Sequence, residues 1–399
     1  MRPCIFLVAV LWIWCCGLPI SCSAQKIYAA GRGLMAKSLE SAAEVIDLAG
    51  GNSDRSRPKK LLYLGTAVYD NPQSAAIDTA NYAALGCSIS ALNVSWIDPT
   101  NYELDTAFEE VDIILIAGGN TLFAVDRWTK LGIDNWIRDA VLERNAVVAG
   151  GSAGFISLCG GGHSDSMKPE SYKNPVGPFL NPDEKVRDII DRSWEYIRVP
   201  GLNLIEGALC CPHYDTIQNN NVSRANDFSN MIRRHSGEYG IAVDEWAALA
   251  IDGDSYRVVS RANHTGSVGP NGEFVPGSSG KPGIWTLSVD SSNGNIERKL
   301  VPPVGKVSDI IHPPRWIAED QMVMIARAQN PDDGKPAAWT KQGSRNYRPY
   351  HIAIVLAFGA LAGTIVSLYW RIKRLPAHAY EELSFVDANG NDSWEDPEE

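Results

Sequence analysis

The chain has little of what metal sites, disulfide scaffolds and nucleic-acid binders require. It holds seven histidines and eight cysteines in 399 residues. None stands at a ligand spacing such as His-Glu-x-x-His or Cys-x-x-Cys, so neither a metal nor any other cofactor is expected. Cys4, Cys15, Cys16 and Cys22 fall within the first 24 residues, which leaves Cys87, Cys159, Cys210 and Cys211. Four are too few for a disulfide scaffold. Adjacent Cys210 and Cys211 pair poorly with each other, and both a bridge and buried free thiols stay open. A basic stripe is missing, and a formal net charge of -11 excludes nucleic acid as an expected partner. No internal repeat is present, which excludes solenoids and propellers.

The two ends carry their own signals. Residues 1–24 combine Arg2, an apolar run from Cys4 to Trp14 and the small residues Cys22-Ser23-Ala24, the pattern of a signal peptide. Ile352 to Trp370 is a run of 19 residues without a charge, and a transmembrane helix is expected over 351–370. Basic residues flank the run evenly, with Lys341, Arg345 and Arg348 before it and Arg371, Lys373 and Arg374 after it. Orientation therefore rests on the signal peptide, which makes a single-pass type I protein with residues 25–350 lumenal or extracellular.

The tail, 371–399, has eight acidic residues after Arg374 and no Lys or Arg there, so it is expected to stay solvated in the cytosol. Within it Tyr380-Glu381-Glu382-Leu383 resembles a tyrosine-based sorting signal, which implies a sorting adaptor and endosomal or lysosomal membranes as well as the cell surface. Asn93, Asn221 and Asn263 sit in Asn-x-Ser/Thr sequons and are expected to carry glycans in a lumen. Asn391 also fits the pattern and should stay bare.

Between the ends, strands alternate with amphipathic helices. Lys26 to Ala30 precedes a helix through Leu39 to Leu48, and Lys60 to Leu64 precedes one through Gln73 to Leu85. Val111 to Ala117 is a buried strand, and Ile133 to Glu143 is a helix leading into the apolar run Asn145 to Ala149. This alternation predicts an α/β fold, a doubly wound, mostly parallel sheet with helices on both faces. Period-two runs at Gly240 to Val243, Ala247 to Ile251 and Tyr256 to Ser260 predict antiparallel edge strands, with Asp252-Gly253-Asp254 as a turn. The α/β domain is placed at 25–262, and 263–350, rich in Gly, Pro and Ser, is expected to be an appended strand-and-loop region and stalk.

The run Asn145 to Ala149 ends in Gly150-Gly151-Ser152-Ala153-Gly154. A serine on a tight strand-to-helix turn, flanked by residues too small to clash, is the pattern of a nucleophile elbow. A serine nucleophile needs a base, and the base needs an acid to hold its tautomer. His213 follows Leu209-Cys210-Cys211-Pro212 at the carboxyl end of an expected strand, where open α/β sheets assemble their sites. His163, in Gly160-Gly161-Gly162-His163, is the competing base, while His235 reads as a solvated helix end. Asp244-Glu245 closes the strand Gly240 to Val243 at another carboxyl edge.

Gly118-Gly119-Asn120-Thr121, Gly151-Ser152-Ala153-Gly154, His213-Tyr214-Asp215 and Gly240-Ile241-Ala242-Val243-Asp244-Glu245 follow one another in the order and approximate spacing of the cyanophycinase and aspartyl dipeptidase (peptidase E) serine peptidases. The chain resembles that family over roughly residues 60 to 260. The resemblance implies a fold like the class I glutamine amidotransferases. It implies Ser152 as nucleophile, His213 as base and then acid, Glu245 as the residue that orients the histidine, and the backbone N–H groups of Gly119 and Ala153 as oxyanion donors. It also implies a peptide substrate with an aspartyl residue, met by Asn120 and by Arg224, whose planar fork suits a carboxylate.

Pro212 before the histidine, the Gln218 to Asn221 stretch before Arg224, and Trp246 after Glu245 depart from the family pattern and leave the α- or β-aspartyl preference open. An amidotransferase proper would need cysteine at position 152. A catalytically silent receptor on the same fold is the alternative, and a homodimer is left open.

Overall fold

The computed structural model describes residues 25–51, 57–172 and 193–311. The expected signal peptide, transmembrane span, stalk beyond 311 and acidic tail lie outside them. Among the described residues no helix is long and apolar enough to cross a membrane.

The alternation read from the sequence builds the first of two sheets. Five strands run parallel: β1 (Lys26–Ala30), β2 (Lys60–Leu64), β3 (Ser88–Ala91), β4 (Ile113–Ile116) and β5 (Val147–Gly151), in the order β3-β2-β4-β5-β1. Parallel strands buried on both faces must be apolar at every position. In β1, Ile27 and Ala29 enter one core cluster while Tyr28 and Ala30 enter the other. In β4, Ile114 and Ile116 divide from Ile113 and Leu115 in the same way.

The helices between these strands begin where a side chain can accept an orphan amide. Asn71 caps Pro72–Ala84, Thr100 forms a capping box on Asn101–Phe108, and Asn120 caps Thr121–Leu131. The antiparallel edge is present as well. β10 (Ala247–Asp252) pairs with β1 and β11 (Ser255–Ser260) with β10, joined by the expected turn at Gly253, and β14 (Val304–Lys306) closes that side.

The expectation of one sheet needs correction. A second sheet, ordered β13-β12-β9-β8-β6-β7, is formed by β6 (Cys159–Ser164), β7 (Ile197–Pro200), β8 (Ile205–Cys211), β9 (Tyr239–Val243), β12 (Ile284–Val289) and β13 (Ile296–Leu300). Gly240 to Val243 is therefore no edge of the first sheet. It lies between β8, to which it is parallel, and β12, to which it is antiparallel. The physical reason begins at the elbow, whose helix Ala153–Leu158 is only six residues long and passes straight into β6. Glycines let β6 pack closely there, since a Cβ on Gly162 would come within 2.5 Å of Ile156 Cγ2.

One face of the second sheet, with Ile205, Ala208, Ile241 and Val243, shares a core cluster with the first sheet. Its other face, with Leu209, Cys211 and Ala242, packs on Phe228, Met231 and Ile232 of the helix Arg224–Arg234. Residues 284–306 thus supply strands to both sheets.

A disulfide joins Cys159 at the start of β6 to Cys210 in β8, while Cys87 and Cys211 are buried free thiols. Burial pushes the Cys211 thiol up to about 12 and Cys87 up to about 11, so neither is a nucleophile at neutral pH.

Candidate active site

Ser152 follows the last residue of β5 with φ 57° and ψ -117°, a conformation that L-residues adopt only when their surroundings enforce it. The surroundings here are glycines. A Cβ on Gly150 would come within 2.9 Å of the Gly154 backbone, one on Gly151 within 2.3 Å of the Arg32 carbonyl, and one on Gly154 within 2.6 Å of the Ile116 carbonyl. No larger residue fits the elbow, and the turn lifts the serine side chain out of the sheet.

His213 lies two residues beyond β8, with its own positive φ of 51°. Its amide donates to the Gly31 carbonyl at 3.1 Å and the next amide, Tyr214, donates to Val243 at 3.1 Å. The loop is thereby tied to the carboxyl ends of β1 and β9. His213 Nε2 is 2.9 Å from Ser152 Oγ and His213 Nδ1 is 2.8 Å from Glu245 Oε1. A carboxylate can only accept, so Nδ1 of the neutral ring carries the hydrogen and Nε2 is left to accept from the serine hydroxyl.

Glu245 is held from three sides. Asp215 Oδ1 accepts from its backbone amide at 2.8 Å, His213 binds one carboxylate oxygen, and Arg32 Nη1 binds the other at 3.1 Å. Burial alone would raise its pKa. The His213 hydrogen bond and the charges of His213, Arg32 and Arg224 outweigh burial and hold the carboxyl below its usual range. Arg32 also lies over the Trp246 ring at 5.5 Å, and Trp246 stacks on His264 at 3.6 Å.

Gly118 and Gly119 approach the nucleophile from β4. A Cβ on Gly118 would sit 3.4 Å from Ser152 Cβ. Gly119 has φ 129°, and a Cβ there would strike the Ala67 carbonyl at 2.3 Å. Ala153 opens the helix directly after Ser152.

Asn120 and Arg224, the two expected substrate contacts, both lie buried among other partners. Asn120 is nearly fully buried. Its Oδ1 caps the helix at Phe123, and its Nδ2 donates to Tyr69 Oη at 3.0 Å and to the Ser171 carbonyl at 3.3 Å. Arg224 is neither a surface arginine nor an open contact, because its side chain has no exposed surface. It donates to the His163 carbonyl at 2.8 Å, lies 3.5 Å from Asp165 Oδ2 and packs 5.0 Å above the Tyr196 ring. Asp165 in turn is held below its usual range because the Arg224 and His213 charges outweigh burial.

The competing base His163 is fully buried with Nε2 on Asp227 Oδ1 at 2.8 Å, and burial pushes it down to about 4. It does not reach Ser152. Asn93, Asn221 and Asn263 are all exposed. Among the described residues no cluster of His, Cys, Asp or Glu could hold a metal.

Sequence reasoning missed Arg32 and the role of Asp215. Arg32 had one available signal, its place in the loop after β1, at the same carboxyl edge that carries Ser152.

The fold is α/β, with a serine on a strand-to-helix elbow at the carboxyl edge of its first sheet. The model of peptidase family S51 matches residues 29–259, more than half of the chain, and the chain belongs to that family. It is a serine-type peptidase. It is 27% identical over 270 residues to a Trypanosoma brucei brucei protein named G2/mitotic-specific cyclin-1, covering 64% of this chain and 76% of that protein. It is 26% identical over 198 residues to the uncharacterized peptidase YgaJ of Bacillus subtilis (strain 168), covering 50% and 71%. Among solved structures, a protein of Listeria monocytogenes EGD-e described as a peptidase E aligns with TM-score 0.40 and 14% identity over 59% of this chain and 98% of that one. A peptidase from an acI-B1 actinobacterium aligns with TM-score 0.42 and 14% identity over 71% and 97%.

Proposed function

We propose that this chain hydrolyses aspartyl peptide or isopeptide bonds through Ser152, His213 and Glu245, as a membrane-tethered peptidase with its catalytic part in a lumen or outside the cell. The observation that carries the reading is the unbroken hydrogen-bond chain from Ser152 Oγ through both nitrogens of His213 to Glu245.

In the first step Ser152 Oγ attacks the scissile carbonyl while its proton passes to His213 Nε2. Glu245 stabilises the imidazolium that forms, and Arg32 keeps Glu245 anionic. Negative charge on the carbonyl oxygen is met by the backbone N–H groups of Gly119 and Ala153, whose directions the crowded glycine backbone fixes beforehand. His213 then donates its proton to the leaving amine. Water, deprotonated by His213, hydrolyses the acyl-enzyme and frees Ser152.

The aspartyl preference rests on the family resemblance. The compartment rests on the signal-like start, the uncharged run at Ile352 to Trp370, the three exposed sequons and the Cys159–Cys210 bridge, which persists in an oxidising compartment.

The test is hydrolysis of α-aspartyl and β-aspartyl dipeptides by the full chain in detergent, beside Ser152→Ala, together with fluorophosphonate labelling. Cleavage of either class, lost in the variant, assigns the branch. Absence of both cleavage and labelling on folded protein would favour the silent-receptor alternative.

A further inference from the structure

Tyr69, Trp96 and Phe123 form an aromatic shelf on the rim that carries the nucleophile. Tyr69 stacks on Trp96 with ring centroids 5.9 Å apart and packs on Phe123 at 4.6 Å, and Trp96 meets Phe123 at 6.0 Å. Beside it is a cavity of about 290 Å³ whose lining includes Tyr69, Pro72, Asn93, Trp96 and Ile97. Trp96 is 66% exposed and Ile97 74%, with Leu122 and Met167 also exposed.

This exposure does not come from a slack loop. Asp70 Oδ2 accepts from the amides of Val94 and Ser95 at 2.6 Å each, and Arg127 Nε donates to the Val94 carbonyl at 2.6 Å. The segment that presents Trp96 is therefore pinned with its apolar side chains in water, an arrangement that marks a binding surface.

Its place in the fold says what binds. The loops after β2, β3 and β4 build the shelf, at the carboxyl edge where β5 delivers Ser152 and where open α/β sheets take their ligands. It is also joined to the expected oxyanion loop. The Asn120 amide donates to the Ala67 carbonyl at 2.8 Å, Asn120 Nδ2 donates to Tyr69 Oη, and Phe123 opens the helix that Asn120 caps.

We propose that this shelf is a subsite that takes an apolar or aromatic side chain of a peptide substrate extending beyond the residues at the scissile bond. Asp70, which lines the cavity, gives Oδ2 to two backbone amides and keeps Oδ1 buried, and Asp98 is paired with Arg127, so the recognition is apolar contact and ring stacking rather than charge. The proposal rests on the hydrolytic reading above and deepens it, because the enzyme then prefers oligopeptides to the dipeptides that its triad could cleave.

The experiment uses the full chain carrying Ser152→Ala, which cannot turn substrate over. Capped hexapeptides with one aspartyl residue and Leu/Phe, Ser or Arg at the flanking positions are titrated by calorimetry. The Leu/Phe peptide is expected to bind at least ten times more tightly than the Ser peptide, with that advantage lost on adding Trp96→Ala or Ile97→Ser. Equal binding, tighter binding of the Arg peptide, or an advantage untouched by both shelf substitutions would overturn the proposal. So would an advantage present only in Asn93→Gln material from a glycosylating host, since the cavity would then hold the Asn93 glycan. Fluorophosphonate labelling of the parent chain separates the two readings: a Trp96-dependent preference without labelling sinks the hydrolytic reading and leaves the subsite, and labelling without the preference does the reverse.

Discussion

The two sheets contribute to the proposed triad by different means. The first holds the nucleophile through local alternation: each parallel strand returns through a helix capped by a nearby side chain, and Ser152 rides on a turn whose strain is enforced by glycines a few residues away. The second holds the base and the acid through contacts between residues far apart in the chain. β8 is bridged to β6 by a disulfide spanning 51 residues. The segment after β9 carries buried Asp244, whose Oδ2 accepts from the amides of Ser267 and Gly283 at 2.8 and 2.9 Å. The difference teaches that the nucleophile's geometry is a backbone property, whereas the His213–Glu245 geometry depends on covalent and polar ties that condition and mutation can reach.

The comparison breaks most sharply at the nucleophile. Ser152→Ala should lower kcat/KM by on the order of 10⁵-fold with the fold intact, checked by peptide hydrolysis beside circular dichroism. A residual rate within tenfold of the parent would remove Ser152 from the chemistry.

On the second sheet, Glu245→Gln should cost on the order of 10³-fold or more in kcat, because an amide no longer fixes the histidine tautomer or stabilises its cation. Arg32→Met acts one step back and should cost about tenfold or less, mainly in kcat, with Arg32→Lys recovering part of it. A variant altered only in KM would place Arg32 on the substrate instead.

Removing the bridge probes stability rather than chemistry. Cys159→Ala with Cys210→Ala should lower unfolding free energy by about 4 kcal/mol, the chain-entropy value for closing a loop of this length, read by urea denaturation in oxidising and reducing buffer. A loss under about 1 kcal/mol would mean that the second sheet does not depend on the bridge.

The smallest effect is one of pH. Burial first, and then the Asp215 charge, push Asp244 up to about 7 despite its donors. An acid with a raised folded pKa binds its proton more tightly when folded, so its contribution is intact at low pH and is lost as pH rises from about 4 to about 7. Asp244→Asn should therefore gain on the parent across that window by up to about 1.4 kcal/mol per pH unit. His163 opposes this in the parent, since its depressed pKa removes stability as pH falls from about 6.5 toward 4. A difference between variant and parent that is flat with pH would refute the account of Asp244.

Ser152, His213 and Glu245 were legible as residues just beyond strand ends, in motifs whose order carries the family resemblance that gave them their proposed roles. Residues 26–151 were legible for a related reason, because helix and strand periodicities are local. The division into two sheets was not. Gly240 to Val243 reads the same whether its neighbour is β10 or β8, and a strand's partner depends on what the rest of the chain leaves open. Asn120 and Arg224 show the same limit for side chains: their types suit a substrate, but the fold turns one into a helix cap and buries the other against His163 and Tyr196.

By itself the sequence determined the repeating α/β units and the elbow, since these follow from periodicity and glycine sterics within short windows. Only the tertiary structure decided which histidine meets Ser152, which cysteines pair, that Arg32 holds the far oxygen of Glu245, and that Trp96 stands exposed on a pinned loop. Those outcomes rest on distances between residues tens to hundreds of positions apart, and no local pattern encodes such distances.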